Sequence, residues 1–254
     1  PSLCSAFPRA RPKSLPTPLW RLTKKSTPAK YAKIPAVRVK EIHTFTIQEI
    51  ADFVDAAQDS PYYAPLMCCL FLGLREGEAL GLAWEHVNFE NGKVLICQQL
   101  QKEKSKGGKF YIQEGTKNGQ NRALDVPDFL LEILKDEKQH QLLAHLSAGP
   151  AWQNVWGLCF TDALGQCINP HTLWVNFKRI AASIGLPDAR VHDLRHTNAT
   201  LALVNGDDLK TVQANLGHAT AAFTLQRYVH ASEAMKRASA NRMQQFFDDN
   251  VKKA

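Results

Sequence analysis

Acidic residues are missing from the first 40 positions, which hold ten Lys/Arg and seven of the 13 prolines. Such a segment buries too little apolar surface to fold alone. The six cysteines (Cys4, Cys68, Cys69, Cys97, Cys159 and Cys167) include no C-x-x-C, and none has a histidine at zinc-ligand spacing. This pattern argues against a structural metal and a dithiol redox pair. Cys68, Cys69, Cys97 and Cys159 lie in apolar runs, as the reduced thiols of a cytosolic protein do. No apolar run is long enough to span a bilayer; the longest, Ala64 to Leu74, reads as a core helix. No apolar stretch precedes a small-residue cleavage site near the N-terminus, so no secretory signal is recognised. The first residue is Pro1 rather than Met, as expected of a fragment or a processed form. No internal repeat is found.

What is present is the composition of a globular chain: 254 residues, 44% apolar and 22% charged. That length allows one or two domains and a core without staples. The net charge of +7 is uneven, because beyond residue 40 the chain holds 21 basic against 24 acidic residues. The excess positive charge therefore belongs to residues 1–40. This arm reads equally as a DNA-backbone contact, a solvated linker or a transit peptide, and charge alone does not choose.

Within the body, Thr46 with Glu49 forms a capping box that opens an amphipathic helix to about Ala57. A second helix is expected over 61–72 and a short third over 76–83. Asn91-Gly92 marks a turn. The period then changes to strand-like over 93–98, 110–112 and 123–126, with Asn118-Gly119 as a hairpin signal. Further helices are expected at about 128–145, 170–184, 194–204, 208–216, 221–228 and 231–247, with Gly185, Gly206 and Gly217 at helix ends. The expected fold is α+β: mainly α with a small three-stranded antiparallel sheet.

Several residues could carry chemistry, each with a plainer explanation. His192 and Arg195 stand three apart, so a helix points both at one target: a planar fork beside a titratable ring. Taken alone, they read as surface contacts. His218 follows Leu216-Gly217, and Tyr228 comes ten residues later. One straight helix would not put those two on the same face, but Thr220 can cap a fresh helix ending near Tyr228. Alone, they are a helix-end residue and a half-buried aromatic. Arg75 sits between two helices where Glu78 can hold it, which alone is an ion pair. Lys117 lies at a hairpin tip, where most lysines are simply solvated.

Their joint order is more specific. Arg75, Lys117, His192-x-x-Arg195, Leu216-Gly217-His218 and Tyr228 resemble the catalytic set of the tyrosine recombinases, the phage integrase family. The surrounding phrases match too: Gly-Leu-Arg-Glu-Gly-Glu-Ala-Leu-Gly-Leu at 73–82, Val-His-Asp-Leu-Arg-His-Thr at 191–197 and Leu-Gly-His-Ala-Thr at 216–220. The likeness covers roughly 41–247. It implies a recombinase catalytic domain over 41–254, behind a basic, Pro-rich arm at 1–40. Lys102, Lys104, Lys106 and Lys109 are alternatives for the lysine. The chain departs from the family pattern in one way. Only the arm precedes the catalytic part, where family integrases usually carry a helical core-binding domain.

The resemblance implies a site-specific recombinase acting on double-stranded DNA, with no metal and no cofactor. Tyr228 would attack phosphorus to form a 3′-phosphotyrosyl link. His192 would accept its proton, Arg75, Arg195 and His218 would bind the phosphate oxygens, and Lys117 would protonate the leaving 5′-oxygen. Glu78 would orient Arg75. The implied setting is the cytoplasm, with a homo-tetramer on paired sites formed from monomers in solution and a C-terminal helix that docks on a neighbouring protomer. Two alternatives stand beside it: a type IB topoisomerase-like enzyme, and a remnant that binds DNA or a partner without recombining.

Overall fold

The computed structural model describes residues 43–105, 107–115, 121–217 and 243–244. Among these, helices dominate and two small antiparallel sheets accompany them. Thr46 caps α1 (Ile47–Ala57): its hydroxyl accepts from the Glu49 amide, and the Glu49 carboxylate accepts from the Thr46 amide. Two otherwise orphaned donors are thereby satisfied. α2 (Tyr63–Phe71) is buried continuously from Ala64 to Leu70, as a helix apolar on every face should be.

α3 runs only from Glu76 to Leu80, shorter than the expected 76–83. The reason is Gly81. A Cβ there would lie 2.6–2.8 Å from the backbone of Gln99 and Leu100, so the helix ends where the strand Gln98–Lys102 presses against it. Gln98 adds a hydrogen bond from its side-chain amide to the Gly81 carbonyl at 2.7 Å.

A small three-stranded antiparallel sheet is present and holds the strands expected over 93–98 and 123–126, but its third member is 87–88, and the strand expected over 110–112 pairs in a second, two-stranded sheet. β1 (Val87–Asn88) and β2 (Lys93–Ile96) flank the Asn91-Gly92 turn. β3 (Gln98–Lys102) pairs with β4 (Phe110–Glu114), Leu100 opposite Ile112. β5 (Arg122–Asp125) returns to β2, so that Val94 faces both Val87 and Leu124. β2 buries Val94 and Ile96 and exposes Lys93 and Leu95, the alternation of a half-buried strand. The sequence of β3, Gln-Gln-Leu-Gln-Lys, carries no such alternation, which is why it is not visible as a separate strand.

Four helices complete the described body: α4 (Asp128–Ala148), α5 (Pro170–Ser183), α6 (Val191–Asn205) and α7 (Leu209–Leu216). α6 starts three residues before the expected position, which places His192 in its first turn. α2 packs on α4 and α6, and α1 on α5. Leu66, Met67, Leu70, Leu80, Leu130, Phe177 and Leu194 share one core, and Ala199, Leu203, Val212 and Leu216 join α6 to α7. No described helix is long and apolar enough to cross a membrane. The Asn118-Gly119 turn and the helices expected at 221–228 and 231–247 lie outside the described residues.

Candidate active site

Arg75 stands at the N-cap of α3 with extended backbone. Its amide donates to the Glu78 carboxylate at 3.0 Å, and its guanidinium donates to the same group at 2.5 Å. An acid in the first helical turn suits the unsatisfied amides and the positive end of the helix dipole. The Glu78 side chain is fully buried. Two further cations reach it: Arg122 meets both carboxylate oxygens, at 3.1 and 2.6 Å, and Arg195 approaches to 3.8 Å. Burial alone would raise the Glu78 carboxyl. The hydrogen bonds and charge of Arg122, then those of Arg75, outweigh it and hold the group down at about 2.

Arg195 projects from α6 and is itself only 2% exposed. Its guanidinium donates to the carbonyls of Gly73 and Leu216. Gly73 has φ +62°, and a Cβ there would lie 2.6 Å from Leu216 and 2.7 Å from Asn198. Only glycine lets this turn bring its carbonyl onto Arg195. The end of α7 shows a regular pattern. The carbonyls of Asn215, Leu216 and Gly217 accept, in order, from Arg122, Arg195 and Arg75. The last carbonyls of a helix lack partners within it and carry partial negative charge, so three guanidinium groups complement both properties.

His192 lies one turn before Arg195, its ring edge-on to His196 with centroids 4.6 Å apart. The ring has an accessible face. Even so, the protein mass around it, and next the charge of Arg195, hold its pKa below the ordinary imidazole value. Asp193 pulls the other way, while Arg75 and Arg190 add to the lowering. The α6 start repeats the device at α3: Asp193 accepts from the amide of Arg190 at 2.9 Å and from its guanidinium at 2.8 Å. Asp193 is thus committed to Arg190, which fixes the turn carrying His192.

Of the six expected site residues, Arg75 and Arg195 meet at Glu78, with His192 within electrostatic range of both. Lys117, His218 and Tyr228 lie outside the described residues. The expected contact between Glu78 and Arg75 is present. Arg122 is an addition that the motifs do not name. A signal for it exists: Arg122, Leu124 and Val126 share one phase of a strand whose other members are buried, and a cation on the buried phase needs a buried partner.

Residues 40–235 match the family model described as the phage integrase family. The chain belongs to this family. It is 32% identical over 216 residues to a tyrosine recombinase XerC-like protein of Caldanaerobacter subterraneus subsp. tengcongensis, covering 82% of this chain and 55% of that protein. It is 23% identical to an integrase of Saccharopolyspora erythraea, over 87% of this chain and 61% of the relative. The chain thus spans little more than half the length of these relatives. Among solved structures, the Tn1549 transposon integrase in complex with transposon right end DNA superposes with TM-score 0.68 at 19% identity, covering 82% of this chain and 67% of that one. The catalytic domain of bacteriophage HP1 integrase superposes at TM-score 0.52 and 21% identity, over 79% of this chain and 95% of that one. The mostly helical fold with small antiparallel sheets is therefore that of recombinase catalytic domains.

Proposed function

We propose that residues 41–254 form the catalytic domain of a site-specific recombinase that cleaves and rejoins double-stranded DNA through a 3′-phosphotyrosyl intermediate. The observation that carries this reading is the convergence of Arg75 and Arg195 on one buried carboxylate with His192 beside them. Residues so far apart in sequence form a cationic site suited to one phosphate. A relative that shares the family is a tyrosine recombinase, and the Tn1549 neighbour is described in complex with DNA.

Each role follows from a chemical demand. A phenol with pKa near 10 is only about 0.1% ionised at pH 7, so Tyr228 needs a proton acceptor. His192, held neutral by its surroundings, serves as that base. Negative charge gathers on the non-bridging oxygens in the transition state. Arg75, Arg195 and His218 stabilise it with fixed donors, Arg75 as the outer fork and Arg195 as the inner one. Lys117 protonates the leaving 5′-oxygen. The ester is exchanged rather than hydrolysed, so a 5′-hydroxyl from another strand can reverse the step. Ten basic and no acidic side chains at 1–40 suit this arm to the DNA backbone. The working form is a homo-tetramer on paired sites, assembled from monomers in the cytoplasm.

A nicked DNA substrate that loses its 5′-hydroxyl after cleavage traps the intermediate. Wild-type protein is expected to accumulate a covalent adduct, and Tyr228→Phe to form none while still binding DNA. Adducts that persist in Tyr228→Phe would assign the nucleophile elsewhere. Lys117→Ala should slow cleavage of ordinary DNA far more than of DNA with a 5′-bridging sulfur, which leaves without a proton. Equal slowing of both substrates rejects Lys117 as the acid.

A further inference from the structure

Arg122 lies outside the catalytic set that the family resemblance implies, yet three hydrogen bonds anchor it within the cluster. Its side chain is 8% exposed. One edge of the guanidinium meets both oxygens of Glu78, and Nε donates to the Asn215 carbonyl at 2.7 Å. A Cβ at Gly217 would lie 3.2 Å from Arg122 Nη1, so the group packs directly against the end of α7. A single side chain on β5 thereby ties together the sheet, the start of α3 and the end of α7. The strand also connects directly to the 116–120 segment that contains Lys117, and α7 to the segment that begins at His218.

A carboxylate offers about four acceptor sites. Arg75 fills two of the Glu78 sites, with its amide and one nitrogen, and Arg122 takes the rest of the charge with a two-pronged grip. A planar, rigid fork suits this task, because little freedom is lost per hydrogen bond. Without Arg122, the buried Glu78 charge would be undercompensated. Arg195, already 3.8 Å away, and Arg75 would then be drawn further onto it. A guanidinium that closes onto an internal acid turns its donors away from an external phosphate.

We propose that Arg122 is a positioning residue: it satisfies Glu78 from the sheet side and pins the end of α7 at Asn215, so that Arg75 stays turned to the scissile phosphate and Arg195 keeps its place on the carbonyls of Gly73 and Leu216. The phosphate in this assignment rests on the recombinase reading, whereas the hold on the two arginines does not.

Two measurements on the full chain test it. The first needs no DNA: hydrogen exchange at the Nε–H groups of Arg75 and Arg195, followed by NMR. Arg122→Gln is expected to slow that exchange by about tenfold or more, as the two guanidinium groups close onto Glu78. Unchanged or faster exchange overturns the proposal. The second is single-turnover cleavage of the nicked substrate. Arg122→Gln is expected to cleave about 100-fold more slowly, the scale of a misplaced reacting group, while DNA affinity changes little. Arg122→Lys, which keeps the charge and removes the fork, should recover part of the rate. Glu78→Gln combined with Arg122→Gln should be no slower than the worse single variant, because the two act as one unit. Wild-type cleavage by folded Arg122→Gln, or fully additive losses, overturns the role. Should no protein form an adduct, wild type included, the recombinase reading fails and the exchange measurement still decides the hold on the arginines. Should Arg122→Gln not fold, Arg122→Lys carries both measurements. Wild-type exchange and rate in Arg122→Lys would then mark Arg122 as merely structural and overturn the proposal.

Discussion

At the scale of single residues, the site is a problem of charge compensation. Glu78 is an acid with no access to water, and it stays ionised because three arginines surround it. Removing one member of a buried pair leaves an uncompensated charge and costs about 3–5 kcal/mol. Glu78→Ala is therefore expected to lose about that much stability in urea denaturation; a loss near zero would mean that the arginines do not depend on it. His192 gives a sign-specific expectation. Its pKa is lowered from 6.5 in the folded chain, first by burial and then by Arg195. As a base it must be neutral, so the acid limb of the single-turnover cleavage profile should lie below the ordinary imidazole value. A limb above that value contradicts the assignment. The same shift means that the unfolded chain binds more protons as pH falls below 6.5, so this contribution to stability declines there as well. Arg75, Arg195 and His192 are legible because short phrases carry them. Arg122 is legible only as a cation on the buried phase of a strand, since its partner is 44 positions away in sequence and nothing local names Glu78.

At the scale of elements, local chemistry predicts the helices better than the strands. The Thr46–Glu49 capping box, the glycine after α7 and the apolar run of α2 are all local signals, and each marks the element found. Strand pairing is not local. β3 is mostly polar, and its place is set by its packing on α3 through Gly81. That packing leads to a test: Gly81→Ala pushes a methyl group into the backbone of β3, and overpacking of this kind costs about 1–3 kcal/mol. Denaturant unfolding should show that loss. A neutral result would mean that α3 and β3 are not closely packed in solution. The true start of α6 escapes a local reading for a related reason: Arg190 is a poor N-cap by residue type, and the start is held instead by the Asp193 carboxylate, which accepts from the Arg190 amide and guanidinium.

At the scale of the whole molecule, positive charge and the candidate site belong to different parts of the chain. The first 40 residues carry ten basic side chains, while the remainder holds 21 basic against 24 acidic residues. With the arm on the DNA backbone, deletion of residues 1–40 should weaken binding and flatten its salt dependence by about 0.9 log units per decade for each phosphate that is no longer neutralised. Fluorescence anisotropy across a salt series reads this directly, and an unchanged slope would count against the arm as a DNA-binding element. On the proposed reading the body supplies the chemistry without net positive charge, which places weight on the arginines around Glu78. The most direct test is Arg75→Ala, with single-turnover cleavage and equilibrium DNA affinity measured on the same preparation. Loss of one preorganised donor to the transition state is expected to slow cleavage about 100- to 1,000-fold while affinity stays close to wild type. A loss confined to affinity, with the bound DNA cleaved at the normal rate, would contradict the account.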